Sequence, residues 1–339
     1  MRISTLQVYR QASDSLMKSL SEMYRLNEQI SSGKRINKPS DDPTGTSRAM
    51  AYKVSIAAGE QCLGNIEGAA SALTSADSAL SSVNTALTRV KALAVQGASG
   101  TATDSSRAAL AAEVGQLRDQ LLSLANTKVG GDYIFSGFQT DTAAFDTSSY
   151  AYRGDSGAIN VGIGGGMLLS QNVPGDAVFQ YAPAAEEVVE IGEGVYAHYI
   201  PGGGTSTITV EIRDSATSGG GALLDSFAFN NAMEMADVLC GALQSGNTQR
   251  ISALLSTLDD MAEHVNVVRA DLGARLNRLE GQAARIEDEN LATRGTLSSV
   301  EDADIVAAAS DLAKANTVLT AVQASTAKIL SRSLLDFLD

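Results

Sequence analysis

The sequence predicts a mainly α protein with a small β insert: a long antiparallel coiled-coil or helical bundle formed by both chain ends, with a β-rich outer domain inserted in the middle. Three observations carry that class. Apolar residues recur every seven positions over long stretches on both sides of the centre. Aromatics are 5% of the 339 residues and Trp is absent, while Ala, Ser, Leu and Gly abound, which suits narrow helical seams better than a globular enzyme core. Between residues 136 and 230 the pattern changes to short alternating runs broken by Gly and Pro.

The first helix is read from Tyr9, Leu16, Met23 and Ile30, seven apart, with Ala12, Leu20 and Leu26 between them. ISSGKRINKPSDDPTG, Ile30 to Gly45, stops it. Gly33 sits just past the last apolar position, where a left-handed residue closes a helix and only glycine lacks a Cβ to clash. Pro39 and Pro43 hold the next residues out of helix, and Ser40, Asp41 and Asp42 are cap formers, so a new helix is expected from Pro43 or Thr44. That helix runs to about Gln96, with Ile66, Leu73, Leu80, Leu87 and Ala94 in one row and Ala69, Ala76, Val83 and Val90 in the other. The loop GASGTATD, Gly97 to Asp104, leads to a shorter helix striped by Leu110, Leu117 and Leu124. A short loop between two such helices makes them antiparallel neighbours.

Strands are expected at 158–163, 188–191, 195–200 and 207–212. Helix returns near Asn231 and, after a break at Ser245 to Asn247, settles into a row of Ile251, Leu258, Val265, Leu272, Leu279 and Ile286. Arg275 and Gln282 take intermediate places, so the seam weakens, and the polar stretch Thr293 to Ser299 is read as the link to a last helix carrying Ile305, Leu312 and Leu319 beside Ala308, Ala315, Val322 and Ile329. The expected division is 1–43 and 298–339 as terminal arms, 44–135 and 231–297 as two halves of a bundle, and 136–230 as the insert. No repeat of 20 to 50 residues appears beyond the heptads.

The formal net charge of −14 argues against nucleic acid as a partner. Residues 140–230 carry two Arg against eleven Asp and Glu, a net −9. The first 58 residues are net +4 and residues 300–339 net −3, so the two ends are complementary in sign. Cys62 and Cys240 have no second thiol nearby in sequence; a bridge between them stays open, but two small buried hydrophobes are expected. No unbroken run of 18 apolar residues occurs, so no membrane-spanning helix is expected, and MRISTLQVYRQASDS lacks the apolar core of a cleavable signal.

Both termini carry apolar stripes that nothing left in the chain covers fully, which points to partner helices. The expected assembly interface is Tyr9, Leu16, Leu20, Met23, Leu26 and Ile30 with Ile305, Leu312, Leu319, Val322 and Ile329 and the apolar tip Leu334, Leu335, Phe337 and Leu338. The helix-terminating turn is Gly33, Pro39, Asp41, Asp42 and Pro43. Narrow stripes rich in Ala, Ser and Thr bury too little to hold single helices, so both arms are expected to be largely disordered in the free monomer and to fold when neighbouring subunits complete a shared helical core.

The string Ile30 to Gly45 resembles the N-terminal signature of the bacterial flagellin family. SSVEDADIVAAASDLAKANTVL, Ser298 to Leu319, resembles its C-terminal half, and GARLNRLE, Gly273 to Glu280, falls where that family has its core helix. GGDYIFSGFQTDTAAF, YRGDSG and the ending LLDFL are similar to the branch that joins hook to filament rather than to the filament subunit. The resemblance implies a non-catalytic structural subunit without cofactors, which joins hook to filament by helical self-assembly of its terminal helices. Its implied partners are copies of itself, a second junction protein and flagellin, with an export chaperone on the C-terminal arm. It also implies secretion through the flagellar type III apparatus with no cleaved signal peptide and no membrane insertion. A filament flagellin is the alternative.

One motif suggests other chemistry. Gly154-Asp155-Ser156-Gly157 matches the nucleophile loop of serine proteases, which makes a serine hydrolase using Ser156 the remote alternative. Both histidines, His198 and His264, follow it, against the expected order, and a glycine turn between strands explains the residues equally well. Gly33-Lys34 lacks the spacing of a phosphate loop. Two dispersed His and two dispersed Cys offer no ligand set for a transition metal, and Asp41, Asp42 and Glu301 to Asp304 read as helix caps, with Ser299 or Asp302 the expected cap of the last helix.

Overall fold

The computed structural model describes residues 5–181, 183–202 and 207–338, and side chains for residues 7, 10–181, 183–202 and 207–328. The elements are α1 (Thr5–Ser32), α2 (Pro43–Ala98), α3 (Asp104–Ala125), β1 (Lys128–Val129), β2 (Asp132–Tyr133), β3 (Asn160–Gly162), β4 (Leu168–Ser170), α4 (Asp176–Phe179), β5 (Glu187–Gly192), β6 (Val195–Pro201), β7 (Ile208–Arg213), β8 (Leu223–Phe229), α5 (Ala232–Ser245), α6 (Thr248–Glu301) and α7 (Ile305–Leu338). They divide into two compact units, Met1–Gln61 with Arg285–Asp339, and Cys62–Ala284.

In the Cys62–Ala284 unit the heptad rows form the core. Leu73, Leu80, Val83, Leu87, Val90 and Ala94 of α2 are at most 1% exposed, as are Leu258, Val265, Leu272 and Leu279 of α6. Arg269 donates to Asp77 at 2.9 Å and Lys91 pairs with Asp259, so the numbering rises along one helix as it falls along the other and the two are antiparallel. Helix α3 adds Leu110, Val114 and Leu121 and packs on α5, which brings Met235, Leu239 and Leu243. Thr103 caps α3 by accepting from Ser106 N–H, and Asn231 caps α5 through Met233 and Glu234 N–H.

The β region holds an antiparallel four-stranded sheet, β5-β6-β7-β8, and two small hairpins, β1-β2 and β3-β4. Ile208, Val210 and Ile212 of β7 alternate inward, with Ala197 and Tyr199 of β6 on the same face. Before the sheet, Phe135, Phe145 and Phe179 pack edge to face at 5.4–5.5 Å between ring centres, a core built from two loop residues and the last residue of α4.

Several expectations are revised. Residues 136–230 belong to the same compact unit as the flanking helices. Side chains tie them together: the Tyr199 hydroxyl donates to the Ala253 carbonyl at 2.5 Å, and Arg250 pairs with Asp225 at 2.6 Å. The division between units falls inside α2 and α6 rather than at 43 and 297, because both helices run through it. Helix α6 continues through Thr293–Ser299 to Glu301, its seam kept by the buried polar residues Gln282 and Asn290 instead of ending. Over Ile305–Lys328, α7 is long and apolar enough by length and composition to cross a membrane, although its apolar residues are interrupted by polar ones. Cys240 is buried, its thiol pushed up to about 11 by desolvation, whereas Cys62 is half-buried; both are free.

Candidate assembly site at the roots of the terminal arms

Helix α1 ends at Ser32, and Gly33 follows with φ +72°, its N–H still bonded to the Gln29 carbonyl at 2.9 Å. A Cβ at Gly33 would meet nothing within 4 Å, so glycine is required there for backbone angle rather than for space. The turn beyond is held by its own carboxylates. Asp41 accepts from the backbone N–H of Lys38 at 2.9 Å and Asn37 at 3.1 Å. Asp42 accepts from Gly45 N–H and the Thr44 hydroxyl, each at 2.9 Å, and caps α2 with Pro43 as first helical residue. These bonds hold both carboxyls below the usual range, Lys38 N–H acting most on Asp41 and Gly45 N–H most on Asp42. Pro39 is exposed at the tip of the turn. Gly45 was not singled out by the sequence, yet a Cβ there would lie 2.4 Å from Asp42 Oδ2 and 2.6 Å from the buried Ile36.

This turn is bound to the one between α6 and α7. Arg35 N–H donates to the Glu301 carbonyl at 2.7 Å and Ala303 N–H to the Gly33 carbonyl at 2.9 Å, so Lys34 and Asp302 form a one-residue antiparallel bridge. The Arg35 guanidinium adds a bond to the Val300 carbonyl at 2.7 Å. Glu301 lies at the centre, 7% exposed, and its Oε1 receives Lys34 and Lys53, both at 2.8 Å. Burial pushes its carboxyl up, but the bonds from Lys34 and Lys53 prevail and leave it below the usual value. Asp304 caps α7, accepting Ala307 N–H at 3.0 Å; Asp302 instead takes the Ser298 hydroxyl, so neither Ser299 nor Asp302 is the cap expected from sequence. The α2 and α6 segments are antiparallel here too, with Glu60 on Arg294 and Lys53 on Glu301, and they approach closely where Gly59 faces Asn290.

From these roots α1 and α7 run packed against each other. Leu26 is buried; Leu16, Leu20, Met23 and Ile30 are half-buried, as are Leu312, Leu319 and Val322. Ile305 is 52% exposed. Tyr9, Ile329, Leu334, Leu335, Phe337 and Leu338 lie outside the described side chains. The large apolar residues exposed on the arms beside Ile305 are Met17, Tyr24, Val306 and Val318, at 53–81%. Most residues of the heptad rows thus lie in the seam within the pair, whereas the free surface is made by Ile305 together with residues outside those rows.

The serine-hydrolase geometry is absent among the described residues. The Ser156 hydroxyl donates to Asp176, His264 Nε2 bonds the Ala177 carbonyl at 2.9 Å, and His198 is engaged by Glu186 and Ser215. Among the described residues no three His, Cys, Asp or Glu side chains converge as metal ligands.

Two helical ends joined through one root, with a strand-bearing middle between them, correspond to known families. Residues 3–140 match the bacterial flagellin N-terminal helical region, and residues 255–338 the bacterial flagellin C-terminal helical region. The chain is 31% identical over 323 residues to flagellar hook-associated protein 3 of Escherichia coli strain K12, covering 95% of this chain and 94% of that one. It is 25% identical to the flagellin of Listeria monocytogenes over 93% and 90% of the two chains. A putative flagellar hook-associated protein from Vibrio parahaemolyticus shares the fold, with TM-score 0.60 and 23% identity over 77% of this chain and all of that one. The chain belongs to the bacterial flagellin family. Within it, the chain is more similar to flagellar hook-associated protein 3, at 31% identity, than to that flagellin, at 25%, and the role is that of a structural subunit of the flagellum at the hook–filament junction.

Proposed function

We propose that the chain works at the junction by helical assembly of its two arms with the arms of neighbouring subunits. The observation that carries this reading is the apolar surface of the α1–α7 pair: Met17, Tyr24, Val306 and Val318 stay exposed, and only 6% of the most apolar stretch of α7 is buried. A stripe left open at that level is a surface for further helices. Asp311 and Lys314, paired at 2.9 Å in the first third of α7, suit a protein neighbour better than lipid. The partners are copies of itself, a second junction protein on the hook side and flagellin beyond. Before export a chaperone covers the C-terminal arm, and the chain leaves the cell through the flagellar export channel with no cleaved signal peptide. The protein carries out no catalysis.

The test is a strain lacking the gene. Bare hooks with flagellin monomer spilled into the medium are expected, and antibody against the chain should label the proximal end of the filament. Label along the filament's length, with no monomer spilled, would make it a filament flagellin instead.

A further inference from the structure

His198, on β6, is fully buried, although it points to the opposite face of the sheet from the core residues Ala197 and Tyr199. Two loop segments cover it there. Its Nδ1 lies 3.0 Å from Glu186 Oε1, just ahead of β5, and its Nε2 lies 2.8 Å from the Ser215 carbonyl in the loop between β7 and β8. Ser218 of the same loop donates to the other oxygen of Glu186. One ring therefore ties both segments to the sheet.

Both atoms facing the ring are acceptors, and that fixes a proton count. A backbone carbonyl only accepts, so Nε2 must carry hydrogen. Between Nδ1 and the carboxylate one further proton is needed, on either partner, because otherwise two lone pairs face each other across 3.0 Å beside a buried ring. The other charged groups nearby are already engaged. Glu211, directly across the ladder on β7, receives Arg213 at 2.7 Å, and the Asp214 carboxylate accepts Ala222 N–H. Val188, opposite on β5, is apolar. Glu186 keeps 27% of its side chain exposed, which gives the shared proton a path to solvent.

We propose that His198 and Glu186 form a proton-dependent clasp that holds the β7–β8 loop and the segment before β5 against the sheet. It is closed while the pair retains the shared proton and loosens when rising pH removes it. The shared proton then passes to water from the Glu186 edge, the Nδ1 to Oε1 bond is lost, and the ring, no longer fixed on that side, holds Ser215 less firmly through Nε2.

Amide exchange across Ser215 to Gly221 in the full chain, corrected for the intrinsic pH dependence, reads the clasp directly. From mildly acidic to mildly alkaline pH, protection of that loop should fall by about tenfold or more while that of Leu73 to Ala94 stays level. In Glu186→Gln the amide can donate to Nδ1 of a neutral ring, so both bonds survive without the extra proton and the pH dependence should vanish. In Ser218→Ala, which removes a bond but leaves the proton count unchanged, the dependence should persist. Protection that is flat with pH in the natural protein, or a dependence that survives Glu186→Gln in a chain with unchanged circular dichroism, overturns the proposal.

Discussion

Helices α2 and α6 cross both compact units, and they are not the same helices in each. Between Cys62 and Ala284 their facing rows are Leu, Val, Ile and Ala buried to 0–1% at most positions, a seam that excludes water unaided. In the other unit α2 and α6 still bury Ala49, Ile56 and Ile286, but inward places also fall to Asn290 and Glu301, and the attached arms bury Leu26 and Ala308 but leave most of their stripes half covered. The first region stabilises itself by removing apolar surface from water; the second is held by directed bonds and leaves its apolar surface for others. The lesson is that one continuous helix can serve as core in one place and as connector in another, according to what fills its seam.

The sharpest way to break the comparison is to cut a hole in the apolar seam. Leu80→Ala should cost about 2–5 kcal/mol, visible as a lower midpoint in urea. A loss under 1 kcal/mol would mean that the seam does not carry this unit.

In the connecting region the largest effect should come from the backbone. Gly33→Val puts a β-branched residue at φ +72° and should cost about 1–2 kcal/mol locally, with open space around it to exclude a steric cause. Helix α1 should fray back from Ser32, as amide exchange at Arg35 and Ala303 would report; unchanged protection there would remove the case for a strained closing residue.

Glu301→Gln sharpens the electrostatic side. The carboxyl sits below its usual value in the folded chain, so its contribution is complete above the unfolded value of about 4.3 and disappears as pH falls through the folded value. Lys34 and Lys53 are nearly half exposed, which screens the pair and limits the loss at neutral pH to about 1 kcal/mol. The variant should therefore lose its difference from the natural protein in acid. A gap that stays constant down to strong acid would show that packing, not charge, explains Glu301.

The smallest effect on the single chain should be Val318→Ala, under about 1 kcal/mol for an exposed side chain, with assembly onto filaments impaired far more. Amide exchange on dilute chain belongs with it. Protection across Leu16–Ile30 and Leu312–Val322 as strong as across Leu73–Leu124 would mean that the α1–α7 pair is complete without neighbours.

What the sequence made legible follows the same division. A periodic apolar row reports its own burial, so Leu73 to Ala94 and Ile251 to Leu279 could be read directly, as could the left-handed stop at Gly33. Glu301 could not, because a buried carboxylate looks like any acidic residue until Lys34 and Lys53, far away in sequence, arrive beside it. The continuation of α6 through Thr293–Ser299 was hidden for a related reason: a seam maintained by Asn290 and Glu301 has no apolar signal to extend. Strand β8 went unread because its start, Leu223-Leu224, is exposed on both faces and breaks the alternation. The clasp at His198 needed the loop of Ser215 and Ser218 to be folded over it before its partners existed.

The bridge between Lys34 and Asp302 has one further consequence. It ties off almost the whole middle of the chain as a single loop, and the entropy of closing a loop grows only with the logarithm of its length, about 0.6 kcal/mol for each doubling. Residues added or removed between β1 and β8 would scarcely be felt at the roots of the arms. Lineages could therefore remodel the middle in size and surface freely, while a single inserted residue between Glu301 and Ile305 would put the two arms out of step.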